Sequence, residues 1–169
     1  MKPSILIIPG YGGKPRDKMS LRFKRSLEGK YNVYIFSPDW KKRSINLWIN
    51  QTESFVKKNN LFNSVIFAHS LGGMIAVCAK IRPRKLLTAS LSPYFKDDLP
   101  FLDKTDRNFF GKKMLKELGE LRIINKPNIS FAGSSEGEDV KKYSNRIVEG
   151  AGHLPVGKYF KEIIKELMK

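Results

Sequence analysis

The sequence predicts one α/β domain over residues 1–169, in which a mostly parallel sheet of about six strands is flanked by helices. Short apolar and β-branched runs alternate with longer segments of helical periodicity, as in a parallel sheet covered by helices. The length is that of a single domain, and no repeat or flexible linker divides it. With 41% hydrophobic and 28% charged residues, the composition allows an ordinary buried core.

The first half of the chain alternates three strands with three helices. The strand runs consist of apolar and β-branched residues, and turn residues follow them. The helical segments repeat apolar residues every three or four positions, and a proline follows the third of them. The predicted strands are 4–8, 31–36 and 63–68, and the predicted helices are 16–29, 44–59 and about 71–81.

The second half adds three strands, two helices and one longer connection. The predicted strands are 86–91, 128–132 and 145–149, and the predicted helices are near 108–119 and at 156–168. The connection 93–126 lies where a cap would cover a site, and its length allows a short lid and no separate cap domain. Aromatic residues there could line an acyl pocket or belong to the core; they are Tyr94, Phe95, Phe101, Phe109 and Phe110, together with Tyr11.

The stretch His69-Ser70-Leu71-Gly72-Gly73 joins the third predicted strand to its helix. A strand, a sharp turn with one serine, and a helix form the G-x-S-x-G pattern called the nucleophile elbow. The turn forces the serine backbone into a strained conformation, so small residues are needed two positions on either side. Those positions hold Ala68 and Gly72, and the alanine adds only a methyl group to the pattern.

A serine needs a neighbouring base to become a nucleophile, and the chain has two histidines. His69 is adjacent to Ser70, and because neighbouring side chains project differently we expect it to pack the end of the strand. His153 follows the strand 145–149 on a glycine-rich loop, at the sheet edge where active sites of α/β proteins lie. His153 is therefore the predicted base.

The acid that orients the base should follow the fifth strand, which gives the chain order serine, acid, histidine. Three carboxylates are available there. Glu136 is favoured because its turn can bring the carboxylate back over the sheet edge, Asp139 is the runner-up, and Glu138 is expected to be exposed. Asp97 and Asp98, after the fourth strand, are further alternatives.

An oxyanion hole needs two N–H donors. The amide of Leu71 directly follows the serine, and the loop Pro9-Gly10-Tyr11-Gly12-Gly13 offers that of Tyr11. The loop also resembles the opening of a dinucleotide-binding turn, but Pro15 occupies the last glycine position, and the ending of a P-loop is missing. No metal or organic cofactor is predicted.

Together these motifs resemble the α/β-hydrolase superfamily. Over nearly the whole chain the sequence is similar to its small, nearly capless members, namely serine hydrolases of the retinoblastoma-binding-protein type and minimal bacterial lipases. The resemblance implies a Ser70–His153–Glu136 triad with the Tyr11 and Leu71 amides as oxyanion donors. It also implies cleavage of a small carboxylic ester, thioester or amide through an acyl-enzyme. Glutamate stands where aspartate is usual in the family.

The net charge of +16 favours anionic partners. The basic residues are dispersed, however, and the longest clusters are 41–43 and 82–85, so we expect weak attraction to anionic surfaces and no specific nucleic-acid binding. Two alternatives to a small-molecule hydrolase stay open. One is a non-catalytic binding protein with an anionic partner, and the other is a lipase at anionic interfaces.

The expected location is the cytoplasm. The sequence contains one cysteine, Cys78, so an internal disulfide is impossible. No signal peptide and no apolar run of about 20 residues is recognisable.

Overall fold

Six parallel strands form one sheet in the order β2-β1-β3-β4-β5-β6. The computed structural model describes residues 2–92 and 94–169, so Met1 and the first residue of the segment 93–126 lie outside the described residues. The prediction of a mostly parallel sheet of about six strands is confirmed. The strands are β1 Ser4–Ile8, β2 Asn32–Ile35, β3 Val65–His69, β4 Lys85–Ala89, β5 Ile129–Gly133 and β6 Arg146–Val148.

Helices cover both faces of this sheet. They are α1 Lys18–Leu27, α2 Ile45–Lys58, α3 Leu71–Cys78, α4 Lys104–Glu120, α5 Glu138–Lys141 and α6 Gly157–Leu167. The short helix α5 was not predicted from the sequence. The helix expected near 108–119 begins earlier, because the Asp103 side chain accepts a hydrogen bond from the Asp106 N–H (2.8 Å) and caps the first turn.

The four inner strands β1, β3, β4 and β5 are largely buried on both faces, which explains their nearly continuous apolar sequences. Leu6 and Ile8 of β1 belong to a core cluster that includes Trp48 of α2 and residues of α3 and α4. Ile5 and Ile7 belong to a second cluster with residues of α1 and α6 on the other face. Successive side chains of a strand point to opposite faces, so one strand contributes to two cores.

The order of the strands reverses at β1. The chain passes from β1 outward to β2 and then returns to β3 on the other side of β1. Ligands of open α/β sheets bind at the carboxyl ends of the strands beside such a reversal. The loop after β1 and the turn after β3 both lie at this position.

Helix α4 consists of two segments, because Gly111 has non-helical dihedral angles (φ +66°, ψ 170°). Glu117, in the second segment, accepts hydrogen bonds from the Ser44 hydroxyl (2.9 Å) and the Ile45 N–H (2.6 Å) at the start of α2. A carboxylate at a helix N-terminus is favourable because it meets unpaired N–H groups and the positive end of the dipole. Glu117 therefore fastens α4 to α2.

The two basic clusters lie at different places on the sheet, one at its amino ends and the other beside Phe109. Arg84 and Lys85 line a cavity of about 570 Å³ at the amino ends of the strands, together with Lys30 and Lys169. The Arg43 guanidinium lies 5.3 Å from the centre of the Phe109 ring. None of the helices in the described ranges combines the length and the apolar character that a membrane span requires.

Candidate active site

Ser70 occupies a sharp turn between β3 and α3. Its backbone has φ +52° and ψ −125°. Residues that carry a side chain rarely adopt a positive φ. The turn is held by the Ser70 N–H, which donates to the Ala89 carbonyl (2.9 Å). A Cβ added to Gly72 would lie 2.2 Å from the Pro9 carbonyl oxygen, so this position requires glycine. Ala68 is fully buried in the sheet.

His153 lies on the loop between β6 and α6, within hydrogen-bonding distance of the serine. Its Nε2 is 3.1 Å from the Ser70 Oγ. The loop approaches the end of β5 so closely that a Cβ on Gly133 would lie 2.4 Å from the Ala151 carbonyl oxygen. The glycine that ends β5 thus allows the His153 loop and the loop of the acid to meet.

Glu136 contacts the other nitrogen of the same imidazole. Its Oε1 is 2.9 Å from the His153 Nδ1, and its Oε2 accepts hydrogen bonds from the Gly133 N–H (2.7 Å) and the Ser90 hydroxyl (2.9 Å). The Glu136 side chain is 4% exposed. Burial alone would raise its pKa, but the hydrogen bonds from His153, Gly133 and Ser90 outweigh burial and hold the pKa below its ordinary value.

The ionised carboxylate fixes the tautomer of His153. A carboxylate only accepts hydrogen bonds, so the Nδ1 facing Glu136 carries the proton. The Nε2 lone pair then faces the Ser70 hydroxyl, which can donate to it. The three side chains are arranged for removal of the serine proton.

The other carboxylates that the sequence offered have different partners. Asp139 is exposed on α5, and Glu138 pairs with Lys141 (3.0 Å). Asp98 is buried, where it accepts a hydrogen bond from the Tyr143 hydroxyl (2.7 Å) and pairs with Lys142. Among the described residues, Glu136 alone of these carboxylates contacts His153.

Leu71 directly follows Ser70, and Tyr11 follows Gly10, which lies against Ser70. Leu71 is the first residue of α3, where N–H groups have no acceptor within the helix. The loop after β1 is a turn closed by the Gly13 N–H and the Gly10 carbonyl (2.9 Å), and a Cβ on Gly10 would lie 3.1 Å from the Ser70 Cβ. Within the described ranges, neither the Tyr11 nor the Leu71 amide donates to a protein acceptor.

Aromatic side chains form a row that begins at Tyr11, next to Gly10 in the loop after β1, and continues into α4. The Tyr11 ring meets the edge of Phe109 (4.9 Å between centroids), Phe109 meets Phe110 (4.9 Å), and Phe110 meets Tyr94 (4.7 Å). Of the aromatic residues considered for an acyl pocket, Phe95 and Phe110 are buried in the core, whereas Phe101 is 85% exposed. The row gives the site an apolar wall.

Two residues of the site were not identified from the sequence. The Ser92 Oγ lies 3.2 Å from the Ser70 Oγ, and the Ser90 Oγ contacts Glu136. The predicted strand 86–91 is too long, because β4 ends at Ala89 and Ser90 turns into the left-handed region (φ +51°). Two serines directly after a strand that neighbours the elbow strand were the signal available in the sequence.

His69 is buried at the end of β3, as expected, and has a further contact. Its Nε2 is 3.0 Å from the His153 carbonyl oxygen, to which it donates. Burial lowers the pKa of His69 to about 4, so this side chain is neutral at physiological pH. His69 therefore holds the backbone of the His153 loop.

His69 should make the protein sensitive to mild acid. The unfolded chain binds a proton here near the ordinary pKa of 6.5 and the folded protein only near 4, so stability is lost as the pH falls through that window. From pH 7 to pH 5 this loss is roughly 2 kcal/mol. We expect the free energy of unfolding of His69→Gln to fall less between pH 7 and pH 5 than that of the wild type. Urea unfolding at both pH values measures the difference. Equal losses in variant and wild type would contradict this role.

No three His, Cys, Asp or Glu side chains lie close enough to hold a metal ion anywhere in residues 2–92 and 94–169.

Comparison with known proteins rests on structure. No protein-family model and no curated protein matches the sequence. The α/β hydrolase domain-containing protein 10 from mouse matches with a TM-score of 0.72 and 11% identity, over 99% of this chain and 89% of that one. A carboxylesterase structure from the thaumarchaeon Nitrososphaera gargenis matches with a TM-score of 0.66 and 14% identity, over 98% and 90% of the two chains. The ydeN gene product from B. subtilis matches with a TM-score of 0.64 and 16% identity, over 99% and 100%.

Proposed function

We propose that this chain, whose architecture is the α/β-hydrolase fold, is a serine hydrolase that cleaves a carboxylic ester, thioester or amide. The structural likeness confirms the fold that the sequence predicts, and at these identities it shows the fold alone. The activity is argued from the site.

One observation carries the proposal. A continuous hydrogen-bonded path leads from the Ser70 Oγ through both nitrogens of His153 to Glu136, with distances of 3.1 and 2.9 Å. The nucleophile sits on a strained turn, the base is half-exposed toward solvent, and the acid is buried. These three conditions are what nucleophilic catalysis by serine requires.

The reaction would proceed through an acyl-enzyme. Ser70 attacks the carbonyl carbon while His153 takes the hydroxyl proton, and the Tyr11 and Leu71 amides stabilise the tetrahedral oxyanion. The tetrahedral intermediate collapses, the leaving group departs with the proton from His153, and the acyl group remains on Ser70. His153 then takes a proton from the water that attacks the acyl carbonyl. When this second tetrahedral intermediate collapses, His153 returns the proton to the Ser70 Oγ and the carboxylic acid is released.

A small substrate with an apolar acyl group suits this site. The exposed Tyr11 ring and the Phe109 ring against it adjoin the loop whose Gly10 lies against Ser70, and they form an apolar wall that can contact an acyl chain or ring. Because this wall consists of carbon surface, we expect it to recognise the substrate mainly by apolar contact.

Covalent labelling with a fluorophosphonate probe tests the proposal. We expect the folded protein to gain one phosphonyl group on the peptide that contains Ser70, and Ser70→Ala to gain none. Ser92→Ala is the matched control, because Ser92 is the neighbouring hydroxyl at 3.2 Å and should not be the labelled residue. A folded wild-type protein that stays unlabelled would contradict the proposal and favour a binding protein on this fold.

A further inference from the structure

Ser90 lies fully buried at the carboxyl end of β4, next to the strand that carries the nucleophile. Its backbone has φ +51°, a conformation that costs free energy for any residue with a Cβ. The Ser90 N–H donates to the Phe131 carbonyl (2.8 Å) and so continues the pairing of β4 with β5. The hydroxyl is thereby aimed at the interior of the site.

Three polar groups surround the Ser90 hydroxyl. They are the Glu136 Oε2 at 2.9 Å, the His153 carbonyl oxygen at 3.0 Å and the Tyr159 hydroxyl at 3.1 Å. The ionised carboxylate is the stronger of the two pure acceptors, so the Ser90 proton belongs to Glu136. The His153 carbonyl is served by the His69 N–H instead, at 3.0 Å.

Tyr159, on α6, contacts the Ser90 hydroxyl. Its hydroxyl lies 3.0 Å from the Phe131 carbonyl oxygen and 3.1 Å from the Ser90 Oγ, and the side chain is fully buried. Burial raises the pKa of the Tyr159 hydroxyl, which therefore keeps its proton at neutral pH. Because the Ser90 N–H already donates to the Phe131 carbonyl, the Tyr159 hydroxyl can donate its single proton to the Ser90 Oγ, whose own proton goes to Glu136.

We propose that Ser90, supported by Tyr159, is a positioning residue that fixes the Glu136 carboxylate in the orientation that serves His153. The inference rests on the proposed function. The Oε2 of Glu136 is held by two donors, the Ser90 hydroxyl and the Gly133 N–H, so that Oε1 is left for the imidazole. Without the Ser90 hydroxyl the carboxylate is held by a single donor at Oε2, and it can rotate away from His153.

The loss of the Ser90 hydroxyl should also change the pKa of the Glu136 carboxyl group. The titratable groups that face Glu136 are His153 and His69 from the strand ends and Tyr159 from α6. A buried carboxylate that loses a donor becomes harder to ionise. The pKa of Glu136 should therefore rise when the Ser90 hydroxyl is removed.

Two substitutions at position 90 separate the hydroxyl from the backbone. Ser90→Ala removes the hydroxyl and keeps the strained φ, whereas Ser90→Gly removes the hydroxyl and relieves the strain. We expect both to lower kcat for an activated ester by about 10- to 100-fold, with KM changed less than about threefold. We also expect the pKa of Glu136, followed by ¹³C NMR of its carboxyl carbon, to rise by about half to one pH unit.

Tyr159→Phe extends the test to the supporting hydroxyl. We expect a smaller fall in kcat, and in the double variant with Ser90→Gly little loss beyond that of Ser90→Gly alone, because the two hydroxyls act on one carboxylate. A merely structural Ser90 would lower the melting temperature and leave kcat and the Glu136 pKa of the folded fraction unchanged, which would overturn the inference. So would wild-type activity in Ser90→Gly. Failure of the proposed function is recognised separately, as wild-type protein that the fluorophosphonate does not label.

Discussion

Replacement of His153 with glutamine is expected to lower kcat/KM for an activated ester by about 10⁴- to 10⁶-fold, the largest effect of any change outside Ser70. Glutamine fills a similar volume but cannot accept the proton of the Ser70 hydroxyl at neutral pH. The His153 Nε2, 3.1 Å from the Ser70 Oγ, is the base in the proposed reaction. Steady-state hydrolysis of p-nitrophenyl esters of graded acyl length measures the loss.

His69→Gln is the matched control for this experiment, because both histidines lie beside Ser70 and their rings are 5.1 Å apart. The glutamine amide can still donate to the His153 carbonyl, so we expect activity within about tenfold of the wild type. The assignment of the base is contradicted if His69→Gln abolishes turnover while His153→Gln retains it.

The sequence was sufficient to predict the sheet and the positions of Ser70 and His153 at its carboxyl edge. Both follow strands whose apolar runs are unambiguous, and parallel strands bring such turns to one edge of a sheet. The choice among the carboxylates was less certain, because the reach of a side chain depends on the conformation of its loop. In the structure that conformation is set by the Gly133 N–H, which donates to Glu136 (2.7 Å).

The end of α3 shows why some boundaries could not be predicted. Local periodicity extends to residue 81, but the helix ends at Cys78. Its last carbonyls are taken by a segment far away in sequence, since the Asn125 side chain donates to Ala76 (2.9 Å) and Ala79 (2.6 Å). The N–H groups of Ile124 and Asn125 both donate to Val77. Such tertiary contacts cannot be recognised from the local sequence pattern of the helix.

Ser90 was missed for a related reason. The run 86–91 is typical of one uninterrupted strand, and a positive φ at a serine has no signature in the residue type. The strain is maintained by contacts with Phe131, Glu136 and Tyr159, which come from two other elements and one loop. Residues held in such conformations concentrate at functional sites, where the surrounding structure compensates their cost.

Glu136→Gln is expected to lower kcat by about 10²- to 10⁴-fold, while the isosteric change Asp139→Asn leaves it within about twofold. The Gly133 N–H and the Ser90 hydroxyl still require an acceptor at the buried end of residue 136, so the amide oxygen should turn toward them. The amide NH₂ then faces the His153 Nδ1, which must give up its proton and become the acceptor. The proton moves to Nε2, where it faces Ser70 and blocks the base.

Kinetics of both variants on one ester, with urea unfolding to confirm that they are folded, measure the effect. A collapse of turnover in Asp139→Asn with activity retained in Glu136→Gln would transfer the role of the acid to α5.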